Sequence, residues 1–164
     1  MRVGFGFDVH RLVDDRPLVL GGVTIPHDTG LAGHSDADVL LHAVADALLG
    51  AAALGDIGSH FPDSDPRWEG ADSRELLAAV VERVQADAWT LGNVDATVAL
   101  QRPKLRPHIN TMRRRTAQAL GADVGQVSIK ATTTERLGFV GEEAGAAAYA
   151  VCLITPREPL QRPA

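Results

Sequence analysis

Several features are scarce or missing in this sequence of 164 residues. It has one cysteine, Cys152, so no disulfide forms within the chain, and its position in the apolar run 150–154 favours a buried thiol over a nucleophile. The net charge of −5 argues against general nucleic-acid binding. No apolar run approaches the roughly 20 residues that a membrane helix needs, and Arg2 and Asp8 stand where a secretory signal would be apolar. We therefore expect a cytoplasmic protein that binds neither nucleic acid nor membrane.

The remaining composition is that of a globular protein, with 45% hydrophobic and 23% charged residues. The length predicts one domain over residues 1–157, followed by a disordered tail at 158–164. Alternating or apolar runs predict strands at 3–9, 17–23, 93–100, 127–131 and 145–154. Helical periodicity predicts helices capped by Ser35 and Ser73, and a third over 107–120. This order indicates an α+β fold with a mixed or antiparallel sheet.

Two segments predict a metal site. Asp8 and His10 are two residues apart in a strand, so their side chains project to the same face. His42 lies in the first helix, and packing of that helix on the strand would gather two imidazoles and one carboxylate. Three protein ligands leave one tetrahedral position open, as catalytic zinc sites do. Asp38 and Asp46 share a helix face with His42, and we expect them to hold its other ring nitrogen.

Three further features allow two readings each. His34 precedes a helix start, where it could meet an anion or simply hydrogen-bond to the loop. The segment 130–138 (KATTTERLG) offers hydroxyls for phosphate oxygens and Glu135 for a hard divalent cation, although threonines are also ordinary strand residues. The segment 101–107 (QRPKLRP) is a rigid turn that could hold a heterocycle while Lys104 meets its phosphate, or it could be an exposed basic loop.

Six collinear segments resemble one family, the 2-C-methyl-D-erythritol 2,4-cyclodiphosphate synthases of the non-mevalonate isoprenoid pathway. They are GFDVHRL (6–12, within 4–12), the helix segment 33–58, FPDSDP (61–66), ADSRELL (71–77), PKLRPHI (103–109) and KATTTERLGF (130–139). The resemblance implies a ferredoxin-like α+β subunit whose mixed or antiparallel sheet has helices on one face. It also implies a homotrimer with active sites between subunits, and ring closure of a CDP-linked methylerythritol 2-phosphate with release of CMP.

The resemblance also implies roles for individual residues. Asp8, His10 and His42 would bind Zn²⁺, and Glu135 would help to hold a second divalent cation, Mg²⁺ or Mn²⁺, between the substrate phosphates. The implied catalytic positions are His34, Lys130 and Thr133. The implied substrate contacts are Asp8, His10, His34, Ser35, Asp56, Gly58, Asp63, Lys104, Leu105, Arg106, Thr132, Thr133, Thr134, Glu135 and Phe139.

One departure from the family pattern concerns the segment after Gly141. Several family members carry an arginine there that helps to bind an isoprenoid diphosphate in the central trimer cavity, whereas this chain has Glu142 and Glu143. Two carboxylates would repel a diphosphate, so we expect that site to be weak or absent. The alternatives to a cyclising enzyme are a zinc hydrolase that uses metal-bound water and a non-catalytic trimer with structural zinc.

Overall fold

The computed structural model describes residues 1–157, so the predicted tail at 158–164 lies outside the described residues. The strands are β1 (Arg2–Asp14), β2 (Leu18–Leu20), β3 (Val23–Ile25), β4 (Thr29–Leu31), β5 (Trp89–Ala99), β6 (Val127–Thr132) and β7 (Gly145–Pro156). The helices are α1 (Val39–Ala52), α2 (Ile57–His60), α3 (Ser73–Ala86), α4 (Ile109–Leu120) and α5 (Gly138–Gly141). Within 1–157 no helix is long and apolar enough to cross a bilayer.

The main sheet is mixed. Its strand order is β4-β1-β7-β5-β6, and every neighbouring pair is antiparallel except β5 and β6. Strands β2 and β3 form a separate hairpin. Helices α1, α3 and α4 contact the sheet and one another in turn, so they cover one face. The predicted α+β class with a mixed sheet is confirmed.

The opposite face of β1 and β7 carries large apolar side chains that are open to solvent in the single chain. In β1 the odd-numbered positions face outward, because the even-numbered glycines lie against α1. The side chains on this face, each exposed by more than 40%, are Val3, Phe5, Phe7, Val9, Tyr149 and Val151. Such a contiguous apolar surface is typical of a protein–protein interface.

Helix α1 lies unusually close to β1. A Cβ atom built on Gly4 would stand 1.9 Å from the carbonyl oxygen of Ala47, and one on Gly6 would stand 1.9 Å from that of Ala43. Only glycine fits at both positions, because the obstructing atoms belong to the helix backbone. This approach brings His42 of α1 beside the middle of β1, where Asp8 stands two residues after Gly6.

The predicted helix caps were wrong. Asp38, not Ser35, caps α1: its fully buried carboxylate accepts the N–H groups of Leu40 and Leu41 at 3.2 and 3.1 Å. The hydroxyl of Ser35 instead accepts the N–H of Ala37, and α1 starts three residues later than a cap at Ser35 predicts. Likewise, Asp72 caps α3, and Ser73 is the first residue of that helix. The hydroxyl of Ser73 lies within hydrogen-bond distance of Asp36 Oδ1 and His42 Nε2, so it is not available as a cap.

Candidate active site

Three side chains from two elements converge at one end of the sheet. Asp8 Oδ2 lies 3.0 Å from His10 Nε2 and 3.0 Å from His42 Nδ1, and the two nitrogens are 3.2 Å apart. A tetrahedral ion with ligand bonds of about 2.0 Å places neighbouring donor atoms about 3.3 Å apart. The triangle formed by the two imidazoles and the carboxylate is therefore close to the size that such an ion requires, and the predicted cluster could bind a metal ion.

The surroundings of His10 prepare it as a ligand. Its Nδ1–H donates to the carbonyl oxygen of Ala32 at 2.7 Å, which leaves the lone pair of Nε2 directed at the cluster. Burial alone would lower the pKa of His10, but the hydrogen bond and charge of Asp8 outweigh it and raise the pKa. Burial would likewise raise the pKa of Asp8, and the two histidines reverse this and lower it. The negative charge of Asp8 thus favours a cation at this point.

The expected partners of the second ring nitrogen of His42 were wrong. Asp38 is occupied with backbone N–H groups, and Asp46 accepts the N–H of Ile57 at 2.7 Å. Instead, His42 Nε2 lies 2.9 Å from the hydroxyl of Ser73 and 3.2 Å from that of Ser35. Ser73 lies within the segment 71–77 that supports the family resemblance, but reading it as a helix cap concealed this contact.

A cavity of about 300 Å³ opens beside the three ligand candidates. His34, Ser35, Gly58 and Asp63 line it together with the cluster, as the resemblance implies. His34 also makes its alternative contact, because its Nε2 lies 3.2 Å from the carbonyl oxygen of Asp65 in the neighbouring loop. The predicted hydrogen bond of His34 to the loop is therefore confirmed, and contact of His34 with an anion stays a prediction.

Asp56 is less directly placed. It does not line the cavity, and its carboxylate caps α2 by accepting the N–H of Ser59 at 2.8 Å. Its neighbours Ile57 and Gly58 do line the cavity. Asp56 is exposed, so its second carboxylate oxygen has room for another partner.

A second cavity, of about 430 Å³, lies between the 101–106 turn and the end of β6. The site residues that line it are Lys104, Leu105, Arg106, Lys130, Thr132 and Thr133. The amine of Lys130 already pairs with the carboxylate of Asp95, so its charge is shared. A cavity bordered by three cations and two hydroxyls suits an anionic ligand.

The other three predicted contacts do not line this cavity. Thr134 and Glu135 follow its lining residues in the chain, and Phe139 is the second residue of α5 and about half exposed. The carboxylate of Glu135 accepts the hydroxyl of Thr133 at 2.8 Å, which ties it to the rim of the cavity.

The two cavities lie at the same height in the sheet but several strands apart. Asp8 in β1 is opposite Ala148 in β7, which is opposite Val98 in β5, which is opposite Ala131 in β6. Three strand spacings separate the first from the last, about 14 Å across the sheet. Within one chain, the Asp8–His10–His42 cluster and the residues next to Ala131 that are predicted to bind phosphate are therefore distant.

Comparison with known proteins shows which family the chain belongs to. Residues 1–155 match the model of the YgbB family. The chain belongs to the YgbB family. It is 68% identical over 154 residues to the 2-C-methyl-D-erythritol 2,4-cyclodiphosphate synthase of Salinibacter ruber, covering 94% of this chain and 98% of that protein. Because the curated relatives carry this enzyme's name, the chain is an enzyme of this lyase class, as predicted.

Solved structures agree with this membership of the YgbB family. A CDP-bound form of 2C-methyl-D-erythritol-2,4-cyclodiphosphate synthase is 38% identical, with a TM-score of 0.86, and the match covers 94% of this chain and all of that one. The bifunctional IspDF of Campylobacter jejuni is 42% identical, with a TM-score of 0.91. That match covers 94% of this chain, which spans only 42% of the bifunctional protein.

The predicted buried thiol is also confirmed. Cys152 lies on the helix-covered side of β7 and is 1% exposed. Burial raises the pKa of its thiol to about 11. A thiol in this environment is not a nucleophile at neutral pH, so the chemistry rests on the other residues.

Proposed function

We propose that this member of the YgbB family converts 4-diphosphocytidyl-2-C-methyl-D-erythritol 2-phosphate to 2-C-methyl-D-erythritol 2,4-cyclodiphosphate and CMP. An oxygen of the 2-phosphate attacks the β-phosphorus, the bond from that phosphorus to the bridging oxygen breaks, and the oxygen leaves with CMP. The observation that carries this proposal is the Asp8–His10–His42 triangle beside a cavity, in a chain that is 68% identical to a named synthase. The cytoplasm is the expected location.

The first cavity would take the methylerythritol and the β-phosphate. Asp8, His10 and His42 would hold Zn²⁺, which when bound supplies positive charge to stabilise the phosphoryl group during transfer. His34 and Ser35 stand on the cavity wall, where an imidazole and a hydroxyl can donate to phosphate oxygens. The attacking group belongs to the substrate, so the protein's task is to orient two anionic phosphates and to exclude water.

The second cavity would take the CMP portion. Lys104 and Arg106 are exposed at its rim, and Leu105 between them is buried, which fixes the course of the backbone that would contact cytosine. Thr132 and Thr133 offer hydroxyls at its other wall. The carboxylate of Glu135, tied to Thr133, would help to hold Mg²⁺ or Mn²⁺ between the α- and β-phosphates.

Assembly into a homotrimer would unite the two cavities. The phosphates of one diphosphate are adjacent, whereas Asp8 of the metal cluster and Ala131 beside the second cavity are about 14 Å apart in one chain, at three strand spacings. A metal cluster from one subunit and a nucleotide cavity from the next can meet, if the exposed apolar face of β1 and β7 packs between copies. That face supplies the hydrophobic surface that such an assembly needs.

The central cavity of that trimer is expected to bind isoprenoid diphosphates weakly or not at all. Glu142 and Glu143 are both exposed, and only Glu143 has a cationic partner among residues 1–157, with Arg102 Nε at 3.4 Å. Isothermal titration with geranyl or farnesyl diphosphate should show no binding at micromolar concentrations. Micromolar affinity would contradict this expectation.

The reaction is tested by incubating the protein with the CDP-linked substrate, Zn²⁺ and Mg²⁺, and following products by phosphorus NMR. CMP together with a cyclic diphosphate supports the proposal. CMP together with 2-C-methyl-D-erythritol 2,4-bisphosphate, which has no P–O–P bond, would mean that water is the nucleophile, and the chain would then be a hydrolase. His42→Ala should abolish turnover, and sedimentation equilibrium should give three times the chain mass of 17.4 kDa.

A further inference from the structure

The imidazole of His42 has acceptors or ligand candidates on both sides. Its Nδ1 faces Asp8 Oδ2 at 3.0 Å, on the side of the proposed metal. Its Nε2 lies on the other side of the ring from the proposed metal, 2.9 Å from the hydroxyl of Ser73. A neutral imidazole carries one proton, so the partner of Nε2 decides whether Nδ1 keeps the lone pair that a metal needs.

The hydroxyl proton of Ser73 is already committed. The Ser73 hydroxyl donates to Asp36 Oδ1 in a short contact, and the backbone N–H of Ser73 donates to Asp36 Oδ2 at 3.2 Å. An ionised carboxylate only accepts, so the direction of the first bond is fixed. Ser73 is 1% exposed, so water cannot serve as an alternative partner. Its oxygen can then only accept a proton from His42 Nε2.

The other hydroxyl near His42 does not decide the matter. Ser35 accepts the N–H of Ala37 at 3.1 Å and keeps its own proton free, so it could either donate to His42 Nε2 or accept from it. Its distance of 3.2 Å to Nε2 is also longer than the 2.9 Å of Ser73. Ser73 differs from Ser35 because its hydroxyl proton is donated to the Asp36 carboxylate, so the Ser73 oxygen is left as an acceptor for His42 Nε2.

Resting on the proposed metal-dependent function, we infer that Ser73 and Asp36 are positioning residues that hold His42 as the Nε2–H tautomer and so present Nδ1 to the metal. The pair acts from the start of α3 and from the loop before α1, so it also ties together the two elements that border the metal cavity. Partners of this kind behind a metal ligand typically change metal affinity by about 10–100-fold.

The test is a competition titration of Zn²⁺ against a chromophoric chelator, using the full chain. Ser73→Ala and Asp36→Asn should each bind Zn²⁺ about 10–100-fold more weakly than the unaltered protein. Ser73→Thr keeps a hydroxyl and should restore the affinity to within about threefold. Thr116→Val is the matched control, because Thr116 is a fully buried hydroxyl without a hydrogen-bond partner among residues 1–157, and this change should leave Zn²⁺ affinity unaltered.

Two outcomes separate this inference from the proposed function. If the unaltered protein binds no Zn²⁺, the proposed metal-dependent function fails and the inference fails with it. If the unaltered protein binds Zn²⁺ and Ser73→Ala binds within threefold of it, the positioning role alone is wrong.

A second measurement, made on the unaltered protein, tests the inference even if Ser73→Ala does not fold. Proton–nitrogen correlation spectra of the histidine rings in the Zn²⁺-loaded protein should show His42 protonated at Nε2. A proton at Nδ1, or coordination through Nε2, would overturn the inference.

Discussion

The contact between β1 and α1 offers a sharp test of how the fold builds the metal cluster. Changing Gly6 to alanine would place a Cβ 1.9 Å from the carbonyl oxygen of Ala43, where ordinary contact needs at least 3.4 Å. The obstruction is helix backbone, so no side-chain rotation relieves it. Strand and helix must separate by about 1.5 Å at this point.

This separation acts on the metal cluster directly. His42 precedes Ala43 in α1, and Asp8 is two residues beyond Gly6 in β1. A shift of about 1.5 Å would lengthen the 3.0 Å contact between His42 Nδ1 and Asp8 Oδ2 to more than about 4 Å, if the elements moved as units. Metal sites tolerate deviations of only about 0.2 Å in ligand distance. We therefore expect Zn²⁺ affinity to fall at least tenfold, together with about 1–3 kcal/mol of overpacking cost in the free energy of unfolding.

The assay is denaturant unfolding with Zn²⁺ competition on Gly6→Ala and on a control, Gly50→Ala. The control Gly50 lies on the helix side of the same contact, in α1, but its added Cβ would be 4.0 Å from the nearest atom across the contact, the carbonyl oxygen of Phe5. Helical alanine should then stabilise the protein by about 0.5–1 kcal/mol relative to glycine. Unchanged stability and Zn²⁺ affinity in Gly6→Ala would refute the reasoning, as would equal losses in both variants.

Three further predictions follow from charged and buried groups. Burial raises the pKa of Asp38 to about 6, so the folded state binds more protons than the unfolded state between about pH 4 and 6. Carboxyl NMR should therefore find a titration midpoint of Asp38 near pH 6. The contribution of Asp38 to the free energy of unfolding should decrease as pH rises through that window. The thiol of Cys152 should resist iodoacetamide at pH 8 in the folded protein and react once denaturant is added; rapid alkylation under native conditions would contradict its burial. Arg16 donates to the carbonyl oxygens of Gly33 and Ser35, each at 2.7 Å, one on either side of His34 in the chain. Arg16→Ala should therefore lower kcat/KM about tenfold and leave Zn²⁺ affinity within threefold. Unchanged kinetics would show that these two hydrogen bonds are not needed to position His34.

Local patterns in the sequence predicted much of this molecule. The i, i+2 spacing of Asp8 and His10 requires that they share a strand face, and the helical periodicity after residue 39 requires that α1 bury one side. Together these were enough to predict the Asp8–His10–His42 cluster, the α+β class and the burial of Cys152. The roles given to the remaining site residues came from the family resemblance and stay predictions.

The errors lay where two polar residues compete for one partner. Ser35 and Asp38 are both good helix caps, and the choice depended on the N–H of Gly22, which reaches Asp38 Oδ2 at 2.7 Å from a distant turn. The support of His42 was misplaced for the same reason, because helix spacing cannot reveal a serine 31 residues away on another helix.

What the sequence by itself determined is therefore local: which residues share a face, where chemistry-bearing side chains concentrate and which family the segments resemble. Tertiary structure decided the rest. It set the 3.0–3.2 Å triangle through the close approach of α1 to two glycines of β1, and it placed Ser73 and Asp36 behind His42. It also put the two cavities three strand spacings apart in the sheet. Those distances depend on how elements far apart in the chain pack, and periodicity carries no information about packing between elements.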